Sequence, residues 1–168
     1  LREASEQLPL STRPVSILFT TFTKSLVSAS QFLLDSLLRS GTQHQVDVVH
    51  TDRLVQKYLP QSWRGLNDRK WESLACMQEA IAECRRTDTA FAFAASDAEF
   101  LYDEADWVLF GQGLVSVDQY QEADRSGRGR PLGALQKRQM WRLFESFRRN
   151  LRQQNLGMFS EFAAEAHR

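Results

Sequence analysis

Residues 15–21 (VSILFTT) form an unbroken apolar, β-branched run directly after Pro14. Such a run predicts a short strand buried in a parallel sheet. The period then changes. Over residues 23–39 the leucines Leu26, Leu33, Leu34, Leu37 and Leu38 gather on one helical face, and Gly41 supplies a stop. Residues 46–50 (VDVVH) repeat the strand pattern. Residues 51–59 return to helix with Leu54, Val55, Tyr58 and Leu59 inward, ended by Pro60. Strand, helix, strand, helix predicts a βαβ crossover and therefore a parallel sheet. Two strands alone make no stable sheet. Residues 89–94 (TAFAFA) are a further, weaker strand candidate.

From Asp68 onward the pattern is helical. Residues 70–86 place Trp71, Leu74, Ile81 and Cys84 near one face. Residues 97–110 carry Phe100, Leu101, Trp107, Val108 and Phe110, and Gly111-Gln112-Gly113 break the run. Residues 116–123 read as a short helix capped by Ser116. Residues 125–131 (RSGRGRP) are a loop, and residues 134–153 form the most strongly patterned helix. Taken together the chain is α/β and predominantly helical.

Charge changes this picture locally rather than globally. The formal net charge is zero, which gives nucleic-acid binding no support by itself. Yet residues 97–122 hold seven acids and no Lys or Arg, whereas residues 124–152 hold nine Lys/Arg against two acids. On the last long helix, Arg138, Arg142, Arg149 and Arg152 span an arc of roughly 80° at 100° per residue. Met140, Phe144, Phe147 and Leu151 lie opposite. This arginine stripe continues from the 125–131 loop. It is either a solvated face neutralised by the acidic run or a surface for phosphates.

Little of the sequence points to catalysis. No GxxxxGK[ST] loop is present, and the glycines at 111, 113, 127, 129 and 133 read as turn glycines. Asp103-Glu104 follows a helical segment rather than an apolar strand, which argues against a Walker B pair. His44, His50 and His167 have no metal-ligand spacing. Cys76 and Cys84 fit neither a metal knuckle nor a disulfide framework, and read as reduced thiols of a cytoplasmic protein. No apolar run is long enough to span a bilayer. Both ends of the chain read as helices entered partway, so it is expected to be a piece of a longer protein.

One motif does carry chemistry. Phe19-Thr20-Thr21-Phe22-Thr23-Lys24-Ser25-Leu26 sits where a strand ends and a helix begins. In α/β folds that edge is where ligands bind, and a helix N-terminus offers free N–H groups to a phosphate. Thr21 and Thr23 supply hydroxyls, Lys24 a charge, and Phe22 a face for a base. The alternative is plain helix capping by Thr21 or Thr23 with Phe22 buried.

These residues resemble motif Ia of UvrD/Rep-like superfamily 1 DNA helicases, a strand followed by TFT and a helix. Residues 46–52 before an apolar helix are similar to motif Ib, although His50-Thr51-Asp52-Arg53 stands in place of the usual aromatic-His pair. Residues 100–109, 111–114, 119–120, 125–132, 136–138 and 141–145 resemble, in order, the helical insertion of one bacterial subgroup. That insertion typically reads E-W-x-x-V, Q-G-(L/I), Y, R-x-G-R-G-x-x-L, R and W-x-x-F/E; here Asp106 replaces the acid of E-W. The resemblance implies part of a RecA-like motor domain over residues 1–62 and an inserted helical subdomain over 63–168. It implies ATP-driven 3′ to 5′ translocation on single-stranded DNA by the longer protein, with ATP and Mg²⁺ as its cofactors and none held here. The Walker A loop would precede Leu1 and the Walker B strand would follow Arg168. Thr21, Phe22, Thr23 and Lys24 would touch the single strand; Arg128, Arg130, Arg138, Arg142 and Arg149 would hold DNA backbone, including duplex. The competing expectation is a non-catalytic structural or partner-binding helical domain whose arginines pair with its own acids.

Phosphoryl transfer needs a phosphate cradle, its lysine and carboxylate-held Mg²⁺. The chain alone is therefore expected to turn over no ATP, with or without single-stranded DNA. Phosphate release above a mock-purified control would overturn this.

Overall fold

The computed structural model describes residues 16–37 and 45–168. Val15, Leu38, Arg39, Gly41 and His44, which entered the expectations above, lie outside the described residues. The chain divides into two compact units, Leu1–Lys57 and Tyr58–Arg168.

In the first unit, strand β1 (Ser16–Thr21) is followed by helix α1 (Lys24–Leu37), strand β2 (Gln45–His50) and helix α2 (Thr51–Tyr58). The strands are parallel neighbours in register from Ser16↔Gln45 to Thr21↔His50. The crossover read from the sequence is thus present, and the equal register brings both strands to an end at the same edge. α1 and α2 both start there. Val46 and Val48 are buried. Gln31 of α1 donates to the Val46 carbonyl (3.3 Å) and accepts from the Val48 N–H (3.2 Å), so a side-chain amide satisfies two main-chain groups of β2.

Three expectations fail in this region. β1, expected to be a buried strand, has no buried residue, and Leu18 and Phe19 are exposed. The leucine face of α1 exists in the sequence, but α1 buries none of its residues, and Leu26, Leu33 and Leu37 are exposed. A two-stranded sheet is too narrow to cover a 14-residue helix. Tyr58, expected inward, is exposed, while Val55 and Leu59 are buried as expected.

The second unit is helical: α3 (Lys70–Thr87), α4 (Ala98–Glu104), α5 (Val117–Glu122), α6 (Ala134–Gln153) and α7 (Phe159–His167). Its core forms where α3 and α4 pack together and α6 crosses α3. Met140, Phe144, Phe147 and Leu151 are buried on α6, as the 3.6 period requires. Cys76 and Cys84 are buried free thiols in this core, and burial pushes both thiols up. α6 ends in a Schellman arrangement. Asn155 takes φ 54°, Leu156 N–H bonds the Leu151 carbonyl (2.8 Å), and Asn155 N–H bonds that of Arg152 (3.1 Å). Ser116 caps α5 as predicted, accepting from the Gln119 N–H at 3.2 Å.

The helix expected over 97–110 is present but changes gauge. After Glu104 it widens into a π segment (Ala105–Phe110), closed by Gly111 N–H to the Asp106 carbonyl at 2.9 Å. A Cβ on Gly111 would lie 2.5 Å from the Trp107 carbonyl oxygen, so this widened turn requires glycine. Trp107, within this segment, is 68% exposed rather than inward, while Ala105, Val108, Leu109 and Phe110 are buried. Trp71, at the first turn of α3, is 78% exposed rather than inward; Ser73, Cys76, Met77 and Ala80 fill the face it was expected to share.

Residues 89–94 form no strand. Gln139, buried on α6, accepts from the Ala92 N–H (3.2 Å) and donates to the Ala90 carbonyl (3.0 Å), so one side chain takes the bonds a neighbouring strand would have made. Phe93 is buried beside it and meets Phe91 edge-on.

Phe147 and Trp71 are both aromatic residues on helices, and their burial separates them. Phe147→Ala is expected to destabilise the protein by about 3–5 kcal/mol through cavity formation, and Trp71→Ala by no more than about 0.5 kcal/mol. Urea unfolding followed by circular dichroism checks this; equal losses would contradict the assigned burial.

Candidate nucleic-acid interface

The edge where β1 and β2 end gathers the residues of the TFTK motif. Phe22 occupies the turn between β1 and α1 and is 80% exposed, so the reading in which its ring is buried is excluded. The Thr21 hydroxyl oxygen accepts from the Thr23 N–H (3.2 Å), which tightens the turn. The Thr23 carbonyl accepts from the Leu26 N–H (3.0 Å), opening α1. Lys24, the first residue of α1, is exposed and has no ion pair among the described residues. The first turn of α1 contains no acid, so its positive dipole end is uncompensated.

The start of α2 holds this turn from the other strand. His50 Nε2 lies 2.9 Å from the Phe22 carbonyl oxygen, and the Thr51 hydroxyl donates to the Thr21 carbonyl at 3.3 Å. His50 Nδ1 accepts from the Asp52 N–H at 3.2 Å. Neither anchor was assigned a site role from the sequence. The signal was present only as a departure from the motif Ib pattern at these positions.

The arginines divide. Arg128 was expected on an exposed basic surface, but its side chain is only 17% exposed. Its Nε donates to Glu104 at 3.0 Å and it stacks over the Phe100 ring. Arg130 pairs with Asp97 at 2.7 Å and also lies over Phe100. Arg142 and Arg149, on α6, are exposed but reach Asp88 (3.4 Å) and Glu83 (2.7 Å). They line a shallow groove of about 250 Å³ with Thr87 and Ser146. Arg138 is exposed and has no partner among the described residues. The acidic run over 97–122 therefore neutralises the loop arginines, whereas α3 and the residue after it supply the acids that meet Arg142 and Arg149, and Glu161 of α7 takes Arg152 at 2.6 Å.

Glu104 organises the loop. It is fully buried and accepts from Arg125 (Nε 2.5 Å, Nη2 3.1 Å), Arg128, and the Tyr120 hydroxyl (2.7 Å). Burial alone would raise its carboxyl, but the hydrogen bonds from Arg125, Tyr120 and Arg128 outweigh it and hold Glu104 below the usual carboxylate range. Burial and the Glu104 carboxylate together push the Tyr120 phenol upward. Gly127 and Gly129 take φ of 80° and 68°, which lets the chain double back so that Arg125 and Arg128 approach Glu104 from one loop. Glu104 lies in a helix and inside this network, so the Asp103-Glu104 pair has no Walker B setting. From the sequence Glu104 was weighed only as a Walker B acid, and Tyr120 and Arg125 entered only through the resemblance to the helical insertion; none was given this role.

Among the described residues no group of acids, histidines or cysteines is arranged to hold a metal, and no helix is long and apolar enough to cross a membrane. No family model matches this chain, and neither curated proteins nor solved structures yield a match. The helicase resemblance rests on the residues quoted above.

Glu104→Gln removes the charge from a fully buried site and leaves two guanidiniums undercompensated. The expected cost is about 3–5 kcal/mol. Because the Glu104 carboxyl is lowered in the folded state, its contribution is complete above the ordinary carboxylate range. It is lost as pH falls through the lower folded value. Wild type should thus lose stability on acidification below about 4.5, and the Gln variant should lose less over the same interval. Equal acid slopes would show that Glu104 does not carry the effect.

Proposed function

We propose that the Thr21–Lys24 turn is a contact for single-stranded DNA in an ATP-dependent helicase or translocase of the UvrD/Rep-like kind. In this reading the chain contributes track contacts, and ATP and Mg²⁺ act at a centre built from other residues of the longer protein. The observation that carries it is the exposed Phe22 ring on an anchored turn beside a lysine that has no ion pair among the described residues. A base can stack on the ring, while Lys24 and the α1 N-terminus face the adjoining phosphate. Arg138, with Arg142 and Arg149 on the same face of α6, supplies a second basic surface for DNA backbone. Arg128 and Arg130 are weaker backbone contacts in this scheme, since Glu104 and Asp97 already occupy them.

A second reading draws on that same neutralisation. Loop arginines already paired with Glu104 and Asp97 suit a structural or partner-binding helical module that makes no use of DNA.

The two separate on salt. Phe22→Ala should weaken binding of a fluorescein-labelled oligothymidylate by about 1–3 kcal/mol. Lys24→Ala and Arg138→Ala should each reduce the slope of log affinity against log salt by roughly one unit or slightly less. Fluorescence anisotropy across a salt series reads both. Unchanged affinity and slope in all three variants would favour the structural module.

A further inference from the structure

The exposed Phe22 ring raises a question of rigidity. An aromatic side chain on a free loop loses rotational and backbone freedom when a base stacks on it, and that loss subtracts from affinity. The structure answers with two hydrogen bonds that come from the other strand and from no part of the turn itself. The Thr51 hydroxyl takes the Thr21 carbonyl and His50 Nε2 takes the Phe22 carbonyl. The equal register of β1 and β2 makes this possible, since Thr21 pairs with His50 and both strands stop together.

The chemistry of the His50 ring is fixed by its other neighbour. Nδ1 accepts the Asp52 main-chain N–H at 3.2 Å, while the Asp52 carboxylate, 3.7 Å from the same nitrogen, is beyond hydrogen-bonding distance, so Nδ1 carries no proton in this arrangement. The proton of the neutral ring then sits on Nε2 and is donated to the Phe22 carbonyl. His50 has a side chain only 13% exposed, and it leaves the Phe22 ring uncovered. It touches the carbonyl behind the ring rather than the ring's open face.

We propose that His50, with Thr51, is a positioning latch: a neutral imidazole with its proton on Nε2 fixes the Phe22 main chain so that the ring is held outward, ready for a base. The proposal rests on the single-strand reading of the turn. His50 acts through Phe22 and makes no nucleic-acid contact of its own.

The test combines a double-mutant cycle with a spectroscopic signature on the 168-residue chain, with oligothymidylate as the probe. His50→Ala should weaken binding about five- to tenfold, the scale of one lost hydrogen bond. His50→Gln places an amide N–H near the Nε2 position and should stay within about twofold of wild type. In a Phe22→Ala background, His50→Ala should change affinity by less than about twofold, because the residue it positions is gone. Long-range ¹H–¹⁵N spectra of the free protein should show the His50 proton on Nε2. Additive effects of Phe22→Ala and His50→Ala, or a Gln variant as weak as the Ala variant with helix content intact, would overturn the latch. A proton on Nδ1 would overturn it without any DNA measurement. If no variant changes binding while the Nε2 proton is observed, the single-strand reading fails and with it the latch's purpose, although the hydrogen bond itself stands.

Discussion

The helical unit is organised around the burial of one carboxylate. Glu104 is wholly removed from water. An isolated charge there would cost several kcal/mol, so it persists only because two arginines and a tyrosine surround it. Satisfying it sets the geometry of everything nearby. Arg125 and Arg128 must fold inward, the loop between them must reverse through left-handed glycines, and Tyr120 must sit against the same oxygen at the end of α5. The distribution of free positive charge follows. The loop that looks most basic in the sequence has little charge to offer, and the arginines of the sequence stripe that stay exposed, Arg138, Arg142 and Arg149, lie on α6.

That redistribution explains where sequence reasoning succeeded. Periodicity placed the inner face of α6 correctly, because Met140, Phe144, Phe147 and Leu151 repeat over about three turns and packing simply follows the period. It placed the β1–β2 crossover for the same reason: a change from strand to helix period is a local property. It misplaced Trp71, Trp107 and residues 89–94. Ser73, Cys76, Met77 and Ala80 take the inner face of α3 that Trp71 was given, and Ala105, Val108 and Leu109 take that of the segment holding Trp107. Only the third failure has a cause distant in sequence. Gln139, almost fifty residues away, occupies the main-chain groups that made 89–94 look like a strand.

The candidate site was legible in the same uneven way. Thr21, Phe22, Thr23 and Lys24 stand out because a strand-to-helix junction carrying hydroxyls, an aromatic ring and a cation is itself a chemical pattern. His50 and Thr51 do not, since their role depends on a parallel register that no single segment encodes. The arginines show the converse problem. Spacing puts Arg138, Arg142 and Arg149 on one face, and the structure keeps them there, but spacing says nothing about Glu83 and Asp88 from another helix. Exposed pairs of this kind are worth about 0–1 kcal/mol each, so a phosphate could displace them. The buried pairing of Arg128 with Glu104 is of another order, and a phosphate competing for it would have to leave Glu104 unsatisfied.

Exposure of an aromatic ring does not by itself indicate a nucleic-acid contact, and this protein supplies its own comparison. Phe22, Trp71 and Trp107 are all exposed to a similar degree. Their electrostatic settings differ. Trp107 follows Asp106, and the neighbouring Asp68 is raised by burial and, in part, by the charge of Asp106. Trp71 precedes Glu72, which is held by Arg69. Trp107 therefore stands next to a carboxylate that repels a phosphate inside the screening length of about 8 Å at physiological salt, whereas Trp71 stands between Lys70 and Glu72, where the two signs offset. Phe22 stands instead beside Lys24 and a helix start whose first turn holds no acid, on a turn whose two carbonyls are already engaged from behind. In the proposed reading, the charge beside the ring, more than its exposed area, is what favours the turn after β1 as a contact for a base and its phosphate.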